Sequence, residues 1–185
     1  VIVNPVPTNP FTVEGPLCLN EASAIVYTGN AFVTANYIWD FDGGTVLSGN
    51  GRGPYQVSWS SPGQKQVSLR IEQSGCPSIP ASRSVMVHPI PEAPFQASVS
   101  VCTGQEADVL YTGFAGPQAS YNWNFNGATI LSGSGSGPFK VMWNQPGEKK
   151  ISLQVEANGC LSLPGEWIAT VHAYPQAQFE TEPII

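Results

Sequence analysis

Over short stretches of this chain, apolar and polar residues alternate. In Tyr55-Gln56-Val57-Ser58-Trp59 every second side chain is large and mostly apolar. Between Lys65 and Glu72, Val67, Leu69 and Ile71 point one way while Ser68 and Arg70 point the other. A period of two is that of a strand with one buried face. The same criterion predicts strands over Phe11–Leu17, Ala24–Tyr27, Tyr37–Phe41, Tyr55–Trp59, Lys65–Glu72 and Ser84–His88. Pro62-Gly63 marks a tight turn between two of them. No segment sustains a 3.6-residue pattern, and short strands punctuated by turns predict an antiparallel β-sandwich.

The pattern then recurs. Leu47–Pro54 reads LSGNGRGP, and 84 positions later Leu131–Pro138 reads LSGSGSGP. At the same offset Tyr37-Ile38-Trp39-Asp40-Phe41-Asp42-Gly43 becomes Tyr121-Asn122-Trp123-Asn124-Phe125-Asn126-Gly127, and Ile151, Leu153 and Val155 repeat the alternation of Val67, Leu69 and Ile71. The chain is a tandem duplication, with repeat 1 at 8–91 and repeat 2 at 92–175. Residues 1–7 match the end of repeat 1 at 85–91, and Pro175–Phe179 match Pro91–Phe95, so that 1–7 and 176–185 flank the two repeats. These overhangs are expected to be the end of a preceding repeat and the start of a following one. The linker His88-Pro89-Ile90-Pro91-Glu92-Ala93-Pro94 is proline-rich, which favours a semi-rigid spacer and an extended arrangement of the two sandwiches.

The glycine loop resembles a phosphate cradle only superficially. A phosphate loop opens a helix, whose N-terminus faces the anion. Here Pro54 leads into a strand pattern instead, so the loop is expected to connect strands.

Composition narrows the class. Only 11% of the 185 residues are charged, Gly (19) and Pro (17) are plentiful, and the net charge is −6. No basic patch is available to neutralise phosphates, which argues against nucleic acid as a partner. No apolar run reaches membrane-spanning length, so direct membrane insertion is not expected. The cysteines Cys18, Cys76, Cys102 and Cys160 fall at the same two positions of each repeat. Close C-x-x-C pairs suited to zinc are missing. A pair so far apart in a chain rich in small polar residues reads as a disulfide within each repeat, Cys18–Cys76 and Cys102–Cys160, with free buried thiols as the alternative. Closing such a loop would stabilise a repeat by roughly 4 kcal/mol.

The segment YIWDFDGG, followed by VSWSSPGQKQVSLRI, resembles the PKD (polycystic kidney disease) domain, whose hallmarks are a Trp-Asp-Phe core and a later Pro-Gly-led strand. The resemblance covers nearly the whole chain. More narrowly, the SGxGxGP loop, Trp59 and Trp143 ahead of the Pro-Gly turns, and the closing Gly-Cys are similar to PKD-like repeats of Bacteroidetes surface proteins. The chain departs from the family where Val57-Ser58-Trp59 and Val141-Met142-Trp143 replace a His-x-Tyr. The resemblance implies an all-β fold of two tandem immunoglobulin-like (PKD-type) sandwiches. It further implies a secreted or cell-surface location, with export by the type IX system and gliding motility among the contexts. The implied role is a non-catalytic stalk, spacer or attachment adhesin, whose partners are neighbouring repeats and surface polysaccharide or another cell-surface protein. The alternative is a carbohydrate-binding accessory module of a secreted glycan-degrading enzyme.

Three candidate sites remain. Asp40 and Asp42 could ligate calcium, a hard cation suited to carboxylates on a turn. Asn124 and Asn126 replace them in repeat 2, so capping of the turn is favoured and no cofactor is expected beyond that calcium option. Trp59 and Trp143 could stack on sugar, but they share a strand face with Val57 and Val141, which assigns them to the core. Trp167, where repeat 1 has Arg83, is the aromatic the common fold explains least, and so the candidate for an exposed ligand patch. His88 and His172 have no recurring nucleophile and carboxylate beside them in sequence, so no enzyme is expected.

Overall fold

The computed structural model describes residues 5–178. The chain divides into two compact units, Val1–Ile90 and Pro91–Ile185. Of the expected flanking repeat pieces, residues 1–4 and 179–185 lie outside the described residues.

Among the described residues of the first unit there are nine strands: β1 (Phe11–Val13), β2 (Leu17–Cys18), β3 (Ala22–Tyr27), β4 (Asn36–Asp40), β5 (Thr45–Ser48), β6 (Tyr55–Ser58), β7 (Gly63–Gln73), β8 (Cys76–Pro77) and β9 (Ala81–His88). One sheet has the order β1-β3-β6-β5, the other β2-β9-β7-β4, with β8 paired to β7 alone. That division is the two-sheet arrangement of an immunoglobulin-like sandwich. The ladders are antiparallel apart from β2 on β9, where Leu17 faces Val87 and Cys18 faces His88 in parallel. The second unit repeats the plan with β10 (Phe95–Ala97), β11 (Ser100–Cys102), β12 (Glu106–Tyr111), β13 (Ser120–Asn124), β14 (Thr129–Ser132), β15 (Phe139–Met142), β16 (Gly147–Ala157), β17 (Cys160–Leu161) and β18 (Gly165–His172).

Alternation drives the packing. Val67, Leu69 and Ile71 of β7 are fully buried, as are Ile151 and Val155 of β16. They meet Ile25 and Val57 of the opposite sheet in one core, and Val109 and Val141 in the other. A side chain of this size stabilises by roughly 1.5–3 kcal/mol when taken out of water.

Two expectations needed correction. Phe11–Leu17 is not one strand. The chain pairs with β3 as far as Val13, then crosses to the other sheet and pairs with β9 at Leu17. A Gly15-Pro16 pair lies at the crossing, yet repeat 2 makes the same switch through Val99-Ser100. The gain is burial of Phe11 against one sheet and Leu17 against the other. β5 was missed altogether. All four of its residues are exposed, so no alternation betrays it, and it pairs only with β6 through an irregularity between Val46 and Ser48.

Trp59 closes the core just beyond β6, with 1% of its surface exposed. Its indole Nε1 donates to the Phe41 carbonyl at 2.8 Å, and Trp143 donates to the Phe125 carbonyl at 2.9 Å. Trp59 follows a strand of one sheet and Phe41 a strand of the other, so this bond ties the sheets together. Trp59→Ala should destabilise its repeat by about 3–5 kcal/mol through the cavity it opens. Trp59→Phe should cost about 1–3 kcal/mol, because most of the packing survives while the carbonyl is left with the Gly44 N–H alone. Denaturant titration followed by near-ultraviolet circular dichroism measures both, and a Trp59→Phe loss near zero would remove the hydrogen bond from the account.

Candidate functional site

The turn carrying Asp40 and Asp42 leaves β4 through Asp42-Gly43, with φ of 51° and 74°. Asn126-Gly127 has nearly the same values, 51° and 77°. Two consecutive residues at positive φ are what a tight turn of the Asp-Gly or Asn-Gly kind requires. The Asp42 N–H donates to Asp40 Oδ1 at 2.9 Å, and the Asn126 N–H donates to Asn124 Oδ1 at the same distance. Asp42 also accepts the Gln66 N–H at 2.9 Å through Oδ2. These oxygens cap backbone donors, and at the Asp40 position the neutral amide of Asn124 does so equally well in repeat 2.

The glycine loop after β5 lies over an aromatic cluster. Gly49, Gly51 and Gly53 all have positive φ, between 49° and 104°, which glycine adopts without steric cost. The Gly51 carbonyl accepts bonds from Trp39 Nε1 at 3.0 Å and from Tyr55 Oη at 3.1 Å. In repeat 2 the Gly135 carbonyl accepts from Trp123 Nε1 at 3.0 Å, and Phe139 stands in place of Tyr55. Trp39 in turn stacks on Phe41 at 5.7 Å and meets Phe11 edge-on at 5.1 Å. The loop is therefore a lid on the half-buried tryptophan, with its carbonyl turned inward rather than its N–H groups turned outward. Burial raises the Tyr55 pKa above the usual phenol value.

Trp167 does not form an exposed patch. It is half-buried, packs against the core of its own unit, and lies 6.4 Å from the Phe95 ring. Its indole Nε1 is buried without a hydrogen-bond partner. In repeat 1 the Arg83 guanidinium sits 5.9 Å from the ring of Phe11, the counterpart of Phe95. Tryptophan and arginine cover the same ring by different chemistry.

An aromatic that sequence reasoning overlooked is Phe114, 89% exposed on the loop between β12 and β13. It borders an open groove of about 450 Å³ with Tyr111, Pro117 and Tyr121. The signal was weak, since Asn30 occupies the corresponding position of repeat 1. Just inside that groove, Tyr111 Oη donates to the Glu92 carbonyl at 2.9 Å, as Tyr27 Oη donates to the Thr8 carbonyl at 2.6 Å. Each tyrosine thus holds the chain as it enters its repeat. Burial raises the Tyr111 pKa, and Tyr121 and the Glu92 carboxylate add to the shift. His172 lies 2.9 Å from Ser100 Oγ. The repeat 1 counterpart of that serine is Pro16, so this Ser-His contact is particular to repeat 2.

The cysteine pairing expected within each repeat does not fit the strand register. Cys18 faces His88, and Val87 faces Gly63, the first residue of β7. Cys76 faces Gln73, the last residue of that strand. Ten steps of about 3.3 Å put the two cysteines roughly 30 Å apart along the sheet. A disulfide needs Cα atoms within about 7 Å. Repeat 2 has the same arrangement, with Cys102 facing His172, Val171 facing Gly147, and Cys160 facing Ala157 at the far end of β16.

No family model matches the chain. No curated protein matches it either. Among solved structures it is similar to fibronectin(III)-like modules of Clostridium thermocellum CbhA, at 14% identity over 94% of this chain and 100% of that one, with a TM-score of 0.40. It is also similar to the insect immune protein hemolin, at 13% identity over 91% and 47% of the two chains (TM-score 0.48), and to invasin, a bacterial integrin-binding protein, at 13% identity over 94% and 42% (TM-score 0.46). The chain spans under half the length of the last two.

Two outcomes follow from this geometry. Asp42→Asn should shift the melting temperature by no more than a degree or two, and millimolar calcium should shift the wild type as little. A calcium-dependent rise of many degrees that vanishes in the variant would make the turn a metal site. Trp167→Arg should cost no more than about 1 kcal/mol in a denaturant titration, because arginine at that position already covers the ring beneath it. A loss above about 3 kcal/mol would show the indole to be a core residue instead.

Proposed function

We propose that the chain is a pair of non-catalytic, PKD-like repeats from an exported surface protein of the Bacteroidetes type, acting as a stalk, spacer or attachment module outside the cell. One observation carries the reading. The groups that would build a site are occupied in holding the fold, and in equivalent ways in both repeats. The turn oxygens cap backbone, the Trp59 and Trp143 indoles tie the two sheets, and the loop carbonyls accept indole N–H. A unit copied with its structural bonds intact but without a shared reactive constellation suits reach or attachment better than chemistry. Its partners would be the neighbouring repeats of the chain and, at the cell surface, polysaccharide or another surface protein.

Exposed Phe114 and its groove favour one second reading, a carbohydrate-binding accessory module, because sugar rings stack on exposed aromatic faces. Affinity electrophoresis in gels cast with soluble β-glucan, xylan, mannan or alginate separates the two. Unretarded migration in all four gels is expected. Retardation in one gel, abolished by Phe114→Ala, would replace the spacer reading with the glycan-binding one.

A further inference from the structure

Repeat 1 fills with its own side chain a groove that repeat 2 leaves open. The Arg52 guanidinium lies 5.2 Å from the centre of the Tyr27 ring, and its Nη2 donates to the Gly29 carbonyl at 3.4 Å. A guanidinium over an aromatic face is held by the ring's electrons, and its flat face shields the ring from water. Tyr27 is accordingly buried. Beside it, the Thr8 hydroxyl donates to Asn30 Oδ1 at 2.8 Å, a contact between neutral groups. In repeat 2 three of these positions change together. Ser136 stands in place of Arg52, Phe114 in place of Asn30, and Glu92 in place of Thr8. The tyrosine pair beneath is kept: Tyr111 meets Tyr121 edge-on at 5.1 Å, as Tyr27 meets Tyr37 at 5.3 Å. With serine at position 136, Tyr111 is only half-buried, and it lines the open groove of about 450 Å³ together with Gly113, Phe114 and Ser136. Glu92 is tied to the same place, since its carbonyl accepts the Tyr111 hydroxyl. Its carboxylate lies close enough to Tyr111 to add to the burial that raises the phenol's pKa. Among the described residues no lysine or arginine pairs with that carboxylate.

Around the same tyrosines, repeat 2 has thus lost a built-in cation and gained an exposed ring and a negative charge. We propose that this groove receives an arginine side chain of a partner protein, its guanidinium taking over Tyr111 the place that Arg52 holds over Tyr27. Phe114 offers a second ring, the Gly113 carbonyl the acceptor that Gly29 provides in repeat 1, and Glu92 a counter-charge that repeat 1 lacks. A neutral sugar could stack on Phe114 but would leave the carboxylate without a counter-charge, so the residues that changed together favour a cation. An arginine carried on a loop has the right form, because Arg52 is itself presented between Gly51 and Gly53. Such a site goes beyond the spacer reading, since an array whose groove stays empty still serves as a stalk. One cation–π contact and one exposed ion pair support only weak binding, in the millimolar range.

The test is a nitrogen-15 heteronuclear NMR titration of the whole chain, at low salt, with the capped peptide acetyl-Gly-Arg-Gly-amide. Saturable shifts are expected at the amides of Tyr111, Gly113, Phe114 and Ser136, and none with the same peptide carrying neutral citrulline for arginine. Phe114→Ala and Glu92→Gln should each weaken binding by about two- to fivefold. Ser136→Arg should abolish it, because the new side chain plugs the groove as Arg52 does in repeat 1, and that precedent lets the variant fold. Free L-arginine, whose own carboxylate Glu92 repels, should bind more weakly than the capped peptide. Four results would overturn the proposal: no saturable shift with the arginine peptide, equal shifts with the citrulline peptide, unchanged binding by Ser136→Arg, or tighter binding of free arginine. Saturable shifts at the same amides with a soluble β-glucan oligosaccharide, and none with the arginine peptide, would give the groove to a glycan instead.

Discussion

A hydrogen bond from a buried indole to a backbone carbonyl holds each sandwich shut. Trp59 lies just past the end of β6 in one sheet, and the Phe41 carbonyl just past the end of β4 in the other. The carbonyl also accepts the Gly44 N–H of its own turn at 3.1 Å, but the indole N–H has no other partner there. Left unpaired in the interior, that N–H would cost about 1–3 kcal/mol. The tight turn at Asp42-Gly43 presents that carbonyl, and the Asp40 and Asp42 carboxylates hold the turn. Turn chemistry, indole and core are thus one arrangement. The second unit reproduces it with Asn126-Gly127, Asn124 and Trp143.

This arrangement explains which parts of the fold were legible. Buried strands such as β7 declare themselves through Val67, Leu69 and Ile71, because one face must leave water. The Asp-Gly and Asn-Gly turns are legible because few other pairs accept two successive positive φ values. β5 was not, since all its residues face solvent and only backbone pairing defines it. The crossing between Val13 and Leu17 was hidden for a different reason. Alternation reports that a face is buried, not which of two sheets buries it.

The candidate sites divide along the same line. Reading repeat 2 against repeat 1 was informative wherever the residue changed but the bond survived, as at Asp40 and Asn124. It was misleading at Trp167. A residue without a counterpart suggested an added function, yet the position has one task, covering the ring of Phe11 or Phe95, which arginine and tryptophan meet differently. Phe114 was passed over because it sits in a loop, where periodicity carries no information.

The cysteines show where spacing runs out as an argument. About sixty residues of separation in the chain suits a loop-closing bridge, and chain entropy would reward it. Entropy in the unfolded chain does not determine where the folded chain places the two sulfurs. In this fold a cysteine that ends β2 is set beside the end of β9, while one that follows β7 is set at the opposite pole, because β7 runs the full length of the sheet between them. Recurrence of the cysteines at the same two positions therefore reports the repeated fold, not a bond within it.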